Sequence, residues 1–187
     1  MASRAAEKAD PWENIHAADT SLFLEAAEPV TADWAKILLA QVPFGWRAEG
    51  TPEAIATQWH ALPADLPADL LDDILQKARR FAAMMRVDAV SVRLEGVDGN
   101  ACTKVHADYT DVRLIQTFFG PGTDYAPDGD PSAPLQRVPT GWLGLFNGKA
   151  YPRRSASGHA PCLHRSPPIE GTGEQRLLLV IDTLSPR

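Results

Sequence analysis

The spacing of apolar positions separates a helical first part of the chain from a strand-rich second part. Between residues 67 and 85 apolar side chains recur every three or four positions, which predicts a long amphipathic helix. Shorter patterns predict helices over 31–41, with Thr31 as the N-cap, and over about 51–60. Residues 21–28 fit either a short strand or a helical turn. We therefore assign 1–87 to a helical N-terminal part.

From residue 88 onwards the pattern changes to a period of two. Apolar and polar residues alternate over 89–97, which is typical of a half-buried strand. Further stretches rich in β-branched and aromatic residues predict strands at 102–108, 112–119, 138–146 and 175–182. Loops rich in proline and polar residues separate them. Because no helix lies between these strands, they must pair antiparallel. We predict an α+β fold in which N-terminal helices pack on an antiparallel double-stranded β-helix, a cupin-like jelly roll over 88–187, in one compact domain.

Composition narrows the class of partner. The chain has 187 residues and a net charge of −6, which argues against nucleic acid or an anionic membrane surface as its main partner. No apolar stretch is long enough to span a membrane, and the N-terminus has no secretory signal, so we expect a cytoplasmic protein. A small-molecule substrate is the expected partner, with a homodimer formed through exposed sheet surfaces as a further expectation.

Three residues form a candidate metal site. His106 and Asp108 are two positions apart, so in a strand both side chains point to one face. His164 precedes the last predicted strand. Two histidines and one carboxylate with open positions form the facial triad of non-haem Fe(II) oxygenases. An isolated His-x-Asp is more often a solvent-exposed polar pair or part of a turn, but in this context we take His106, Asp108 and His164 as candidate metal ligands and catalytic residues.

The chain contains two cysteines, Cys102 and Cys162. Their even offsets from His106 and His164 place both thiols on the metal face if each strand is continuous, so a Cys₂His₂ zinc site is an alternative. In antiparallel strands, however, the two thiols would lie about 20 Å apart, too far to share a metal ion or a disulfide. We expect each thiol to be a small buried hydrophobic group. Aromatic candidates for the pocket wall are Tyr109, Phe118, Tyr125 and Trp142.

The second half of the chain carries a combination of motifs. These are C-x-x-x-H-x-D at 102–108, a G-P-G-T turn at 120–123, the apolar strand before Asn147-Gly148, and H-R-S-P-P at 164–168 followed by R-L-L-L. Together they resemble the bacterial family known as domain of unknown function 1826. Genes of that family often lie near genes of zinc homeostasis, which implies a link to zinc. The chain departs from the family pattern at Asn147, where a lysine is expected.

The wider pattern resembles that of the Fe(II)/2-oxoglutarate oxygenases. This resemblance implies Fe(II) held by His106, Asp108 and His164, and Arg176 as the partner of a 2-oxoglutarate carboxylate. Arg113 is the rival for that role, and a structural ion pair is the alternative for Arg176. The resemblance implies an Fe(II)-dependent oxygenase or dioxygenase that acts on a small molecule. The alternatives are a non-catalytic zinc-binding protein and a structural jelly roll without metal.

Overall fold

The structure is a computed structural model that describes residues 9–28, 33–59, 68–150 and 160–184. The predicted cap at Thr31 and most of the loop 149–161 lie outside these residues. The regular elements are β1 (Leu22–Glu25), α1 (Asp33–Leu39), β2 (Phe44–Gly50), α2 (Pro52–Gln58), α3 (Ala68–Met85), β3 (Val90–Val97), β4 (Val112–Phe119), β5 (Asp124–Tyr125), β6 (Gln136–Arg137), β7 (Leu143–Asn147), β8 (His164–Arg165) and β9 (Arg176–Thr183). Short 3₁₀ segments cover Pro11–His16 and Pro127–Gly129.

Two antiparallel sheets form the scaffold. The larger has six strands in the order β1-β7-β4-β9-β3-β2, and the smaller has three in the order β6-β5-β8. Every strand pair among the described residues is antiparallel, so the predicted α+β class with an antiparallel sheet is confirmed. The apolar strand β9 lies between β4 and β3 in the larger sheet, and seven of its eight residues are buried.

The main core lies between one face of the larger sheet and the helices. The apolar stripe of α3 supplies Ile74 and Phe81, both 0% exposed, and the sheet supplies Leu94, Leu114 and Leu179. Each such side chain stabilises the fold by roughly 1.5–3 kcal/mol through removal of apolar surface from water. The helices therefore cover this face of the sheet and leave the other face for the candidate site.

The opposite face combines a small apolar cluster with charged side chains. Ile115, Phe146, Leu178 and Val180 pack with Cys162 near the smaller sheet. Because side chains alternate along a strand, the odd positions of β3 and β4 and the even positions of β9 share this face. The charged residues among these positions are Arg93, Glu95, Arg113, Arg176 and Asp182.

Several elements differ from the sequence-based prediction. The pattern predicts no strand over 44–50, which is wrong, since β2 pairs with β3 along its whole length. The predicted strand 102–108 is also wrong, because only an isolated bridge at His106 forms there. The third difference is at 138–146, where the strand begins only at Leu143. No helix among the described residues is long and apolar enough to cross a membrane.

Candidate metal centre

His106 and His164 meet across an antiparallel bridge. His106 N–H donates to the His164 carbonyl at 3.0 Å, and His164 N–H donates back at 2.8 Å. This pairing fixes both backbones, so the two imidazole rings lie side by side with centroids 4.9 Å apart. Phe146 packs against the His164 ring at 5.0 Å, and the His164 residue is 5% exposed. Two residues 58 positions apart in the sequence are thus held as neighbours.

Backbone carbonyls orient both rings. His106 Nδ1 lies 2.9 Å from the Lys104 carbonyl, and His164 Nδ1 lies 3.1 Å from the Cys162 carbonyl. Because a carbonyl only accepts, each Nδ1 must carry the proton of that hydrogen bond. In a neutral ring this leaves a lone pair on Nε2, which is the arrangement typical of metal-ligating histidines.

Asp108 faces both free nitrogens. Its Oδ1 lies 3.3 Å from His106 Nε2, and its Oδ2 lies 3.1 Å from His164 Nε2. One ligand atom from each of the three residues lies within 4.8 Å of the others. Two nitrogen lone pairs facing a carboxylate repel each other unless a proton or a cation lies between them. The donor set of two imidazoles and one carboxylate therefore fits a divalent metal ion.

Arg113 donates a hydrogen bond to the Asp108 carboxylate and links it to Asp182. Its Nη1 donates to Asp108 Oδ2 at 2.5 Å, while its Nε and Nη2 donate to Asp182 at 2.8 and 2.9 Å. Burial alone would raise the pKa of Asp108, but its close side-chain contact with His164 and the nearby positive charge of Arg113 outweigh it. The pKa of Asp108 is therefore well below its ordinary value, and the carboxylate is ionised and ready to bind a cation.

Arg176 has a different environment from Arg113. It is 2% exposed, its Nε donates to the Pro121 carbonyl at 2.7 Å, and its Nη2 lies 3.5 Å from the hydroxyls of Thr117 and Thr123. Among the described residues, no carboxylate forms an ion pair with it. Burial lowers the pKa of Arg176 to about 10, so it remains charged at neutral pH. A buried guanidinium without a carboxylate partner is costly, and an anionic ligand would remove that cost.

A single cleft of about 200 Å³ connects these groups. His106, Asp108 and His164 line it together with Arg113 and Arg176. The structure thus brings together all five site residues predicted from the sequence. None of the four aromatic candidates for the wall lines this cleft. Phe118 belongs to the main core on the helical face, and Tyr109 is 84% exposed.

The two cysteines have different surroundings. Cys162 is 1% exposed, and burial raises its pKa to about 12. Cys102 is exposed, which contradicts the expectation that both thiols are buried. Its Sγ lies 3.6 Å from His106 Nδ1. This nitrogen is hydrogen-bonded to the Lys104 carbonyl, whereas Nε2 of the same ring faces Asp108. The parity argument fails here because 102–105 do not form a strand.

Solved structures with a similar fold include two dioxygenases for auxin oxidation. The rice dioxygenase for auxin oxidation is 13% identical with a TM-score of 0.57, and the match covers 91% of this chain and 75% of that one. The 2-oxoglutarate complex of its Arabidopsis thaliana counterpart is 15% identical with a TM-score of 0.51, covering 76% and 63%. The complex of JOX2 with 2OG, Fe and JA is 8% identical with a TM-score of 0.55, covering 91% and 69%. These matches establish the fold.

Sequence comparison gives a second result. No curated protein sequence matches this chain. The model of the family "Protein of unknown function (DUF1826)" matches residues 21–182, which include all five candidate site residues and both sheets except Thr183, the last residue of β9. The resemblance seen in the motifs is confirmed, and the chain belongs to the DUF1826 family.

Proposed function

We propose that this chain is a non-haem Fe(II) oxygenase that uses 2-oxoglutarate and O₂ to oxidise a small molecule. The observation that carries the proposal is the convergence of His106 Nε2, His164 Nε2 and the Asp108 carboxylate on one point of the cleft. These three residues would hold the metal ion, which supplies the oxygen-activating chemistry when it is bound. The two sheets of the chain would be those of the double-stranded β-helix of such oxygenases.

Neighbouring groups would hold the three metal ligands in position. The Lys104 and Cys162 carbonyls hold both imidazoles with Nε2 towards the cleft. Arg113 keeps Asp108 ionised and restricts its rotation. These contacts fix three ligand atoms before any metal arrives, so little ordering entropy remains to be lost on binding.

Arg176 is the better candidate for the 2-oxoglutarate anchor. The Arg113 guanidinium already binds Asp182 through two nitrogens and Asp108 through the third. Arg176 has no such carboxylate in the described part of the chain, and the hydroxyls of Thr117 and Thr123 beside it offer further hydrogen bonds to an anion. A guanidinium binds a carboxylate through two parallel hydrogen bonds. The small cleft suits a short dicarboxylate better than a large ligand.

The alternative is a zinc-binding protein without turnover. Two histidines, one carboxylate and a water molecule also suit tetrahedral zinc. Arg176 favours the oxygenase, since a zinc site alone gives no reason to bury a guanidinium without a carboxylate partner in the same cleft.

The test is an anaerobic titration of the Fe(II)-loaded protein with 2-oxoglutarate, followed by visible absorption. We expect the charge-transfer band of a chelated keto acid, lost in His164→Ala and retained in His16→Gln, which alters a histidine in the first 3₁₀ segment. The His106→Ala variant should retain no stoichiometric metal. Tight zinc binding without any band in the iron-loaded protein would support the zinc-binding alternative.

A further inference from the structure

A second cleft opens on the same sheet face, beyond the Arg113–Asp182 pair. It has a volume of about 570 Å³, within the usual range for small-molecule sites. Arg93 and Arg113 line both this cleft and the candidate metal centre. On β9, Asp182 is six residues from Arg176, roughly 20 Å along the strand. The second cleft, which we call the outer cleft, therefore lies at the end of the face away from Arg176.

Two rows of charged side chains cross the outer cleft. In one row the strand register places Glu49 opposite Ser91, and Ser91 opposite Asp182, so two carboxylates flank a hydroxyl. In the next row on the same face, Arg47 lies directly opposite Arg93. The two rows are two residues apart, roughly 7 Å along the strands. The first row ends in Arg113, which lies opposite Asp182 and binds it through two nitrogens, so the floor has a row of mixed charge beside a basic row of Arg47 and Arg93.

The basic row has an unfavourable arrangement that a ligand would improve. Like charges directly opposite each other across two strands destabilise a sheet. Arg47 is paired with Glu49 at 2.6 Å, and Arg93 with Glu95 at 2.8 Å and with Asp182 at 3.7 Å. The Arg47 and Glu49 side chains are 62% and 41% exposed, so their ion pair contributes little and can be exchanged at low cost. A ligand carboxylate placed between the two guanidiniums would contact both.

Ser91 is the second and independent observation. The residue is 3% exposed, yet its Oγ has no hydrogen-bond partner among the described residues. Thr110 Oγ1 lines the same cleft and is also buried without a partner in this part of the chain. Burial of an unpaired hydroxyl costs free energy that an alanine would avoid. Both hydroxyls are explained if a ligand in the cleft hydrogen-bonds to them.

The lining also restricts the class of ligand. Among the described residues around the outer cleft there is no aromatic ring, and Leu184 supplies the one aliphatic side chain. An aromatic or largely apolar substrate would find no complementary surface. A zwitterion would place its ammonium group against Glu49 and the Ser91 hydroxyl, and its carboxylate against Arg47 and Arg93.

We propose that the outer cleft binds the primary substrate and that this substrate is a small zwitterion of the amino-acid class. The substrate role rests on the proposed oxygenase function, because the shared wall of Arg93 and Arg113 places the ligand beside the metal centre. Arg47 and Ser91 are the specificity-determining residues, one for the carboxylate and one for the ammonium group.

The test is isothermal titration calorimetry of the full chain with the common L-amino acids, in metal-free and zinc-loaded forms. We expect at least one amino acid to bind, and its N-acetylated and carboxyl-amidated derivatives to bind about tenfold more weakly, the loss expected for one charge-assisted hydrogen bond. Ser91→Ala and Arg47→Ala should each weaken binding to a similar extent. Arg79→Ala, which removes an exposed ion-paired arginine on α3, should not.

The thermal stability of Ser91→Ala keeps the result interpretable. Because Ser91 Oγ has no partner among the described residues, this variant should melt no lower than the wild type while its amino-acid binding falls. Failure of every amino acid to bind, or binding that ignores both Ser91→Ala and Arg47→Ala, would overturn the proposal. Binding of uncharged polyols instead would overturn the zwitterion class.

The 2-oxoglutarate titration separates this proposal from the function on which it rests. A keto-acid band without amino-acid binding would refute the outer cleft alone. Amino-acid binding without the band would refute the substrate role together with the oxygenase function, and would leave a binding cleft for zwitterions.

Discussion

Two arginines beside the metal centre have opposite roles, which follow from their contacts. Arg113 neutralises one buried carboxylate, Asp182, and one partly buried carboxylate, Asp108, whereas Arg176 has a carbonyl and two hydroxyls as neighbours. Removing one partner of a buried ion pair leaves an uncompensated charge, but removing an unpaired buried charge relieves a desolvation cost. The two positions should therefore respond in opposite ways to the same substitution.

Replacement of each arginine by methionine tests this contrast. Arg113→Met should lower the free energy of unfolding by about 3 kcal/mol, because Asp108 and Asp182 lose their shared cation. Arg176→Met should not lower it, but should weaken 2-oxoglutarate binding about 100-fold through loss of two charge-assisted hydrogen bonds. Denaturant unfolding and calorimetry measure the two effects. The reverse pattern would make Arg113 the co-substrate anchor.

The two thiols should differ in their reactivity near neutral pH. The pKa of Cys162 is raised to about 12 by burial, so this thiol stays protonated and unreactive at neutral pH. Cys102 is exposed and should react. With a chromogenic disulfide reagent at about pH 8 we expect one fast thiol, which Cys102→Ser removes. A second fast thiol in the native protein would show that Cys162 is accessible.

At the scale of elements, the central strands can be predicted from the sequence and the small sheet cannot. The patterns at 89–97, 112–119 and 175–182 place β3, β4 and β9 to within a residue, because long strands carry enough apolar positions to show a period. The pattern misses β2 although Phe44, Trp46 and Ala48 alternate with polar residues or glycine, since Pro43 and two glycines suggest a loop. Strands of two residues such as β5 and β8 have no period, and their partners alone define them.

The candidate site shows the same limit. The spacing that predicts His106 and Asp108 assumes a strand, and the chain there forms only a bridge to His164. The predicted residues do lie together, but it is the long-range bridge between His106 and His164, and not a strand over 102–108, that positions them. Ser91 gives no signal in the sequence. It occupies an ordinary position of an alternating strand, and only the three-dimensional structure shows that its hydroxyl has no hydrogen-bond partner in the described part of the chain.

The turn at Gly120 connects an element to the site. Gly120 has a φ of 81°, and a Cβ there would lie 2.0 Å from the Gln175 carbonyl oxygen. The next residue, Pro121, presents the carbonyl that binds Arg176. Gly120→Ala should destabilise the fold by about 2 kcal/mol or more and weaken 2-oxoglutarate binding as Arg176 shifts.

Gly171→Ala is the matched control for this turn. Gly171 has a similar φ of 76°, but no atom of the described residues lies within 4 Å of the position that a Cβ would take. This variant should carry only the backbone cost of about 1 kcal/mol, with 2-oxoglutarate binding unchanged. Thermal unfolding and calorimetry compare the two variants. Equal effects on both measurements would show that close approach at Gly120 does not position Arg176.

At the scale of the whole molecule, the two halves of the sequence are joined through one sheet. Both edge strands, β1 and β2, come from the first 87 residues, and the four strands between them come from the remainder. The main core likewise takes Ile74 and Phe81 from one half and Leu114 and Leu179 from the other. The sequence pattern predicts a helical part and a metal-binding part, and because the two share one sheet and one core we expect that neither folds alone.

Expression of residues 88–187 alone tests this interdependence. The fragment would expose β7 and β3 as bare edges and leave one apolar face of the sheet uncovered, which favours aggregation over folding. We expect the fragment to be insoluble, or to lack cooperative unfolding and metal binding. Co-expression with residues 1–87 should restore solubility, cooperative unfolding and metal binding. The full chain should unfold in a single calorimetric transition. A soluble fragment that binds stoichiometric metal would show instead that the metal centre is an independent unit and that the helices serve another purpose.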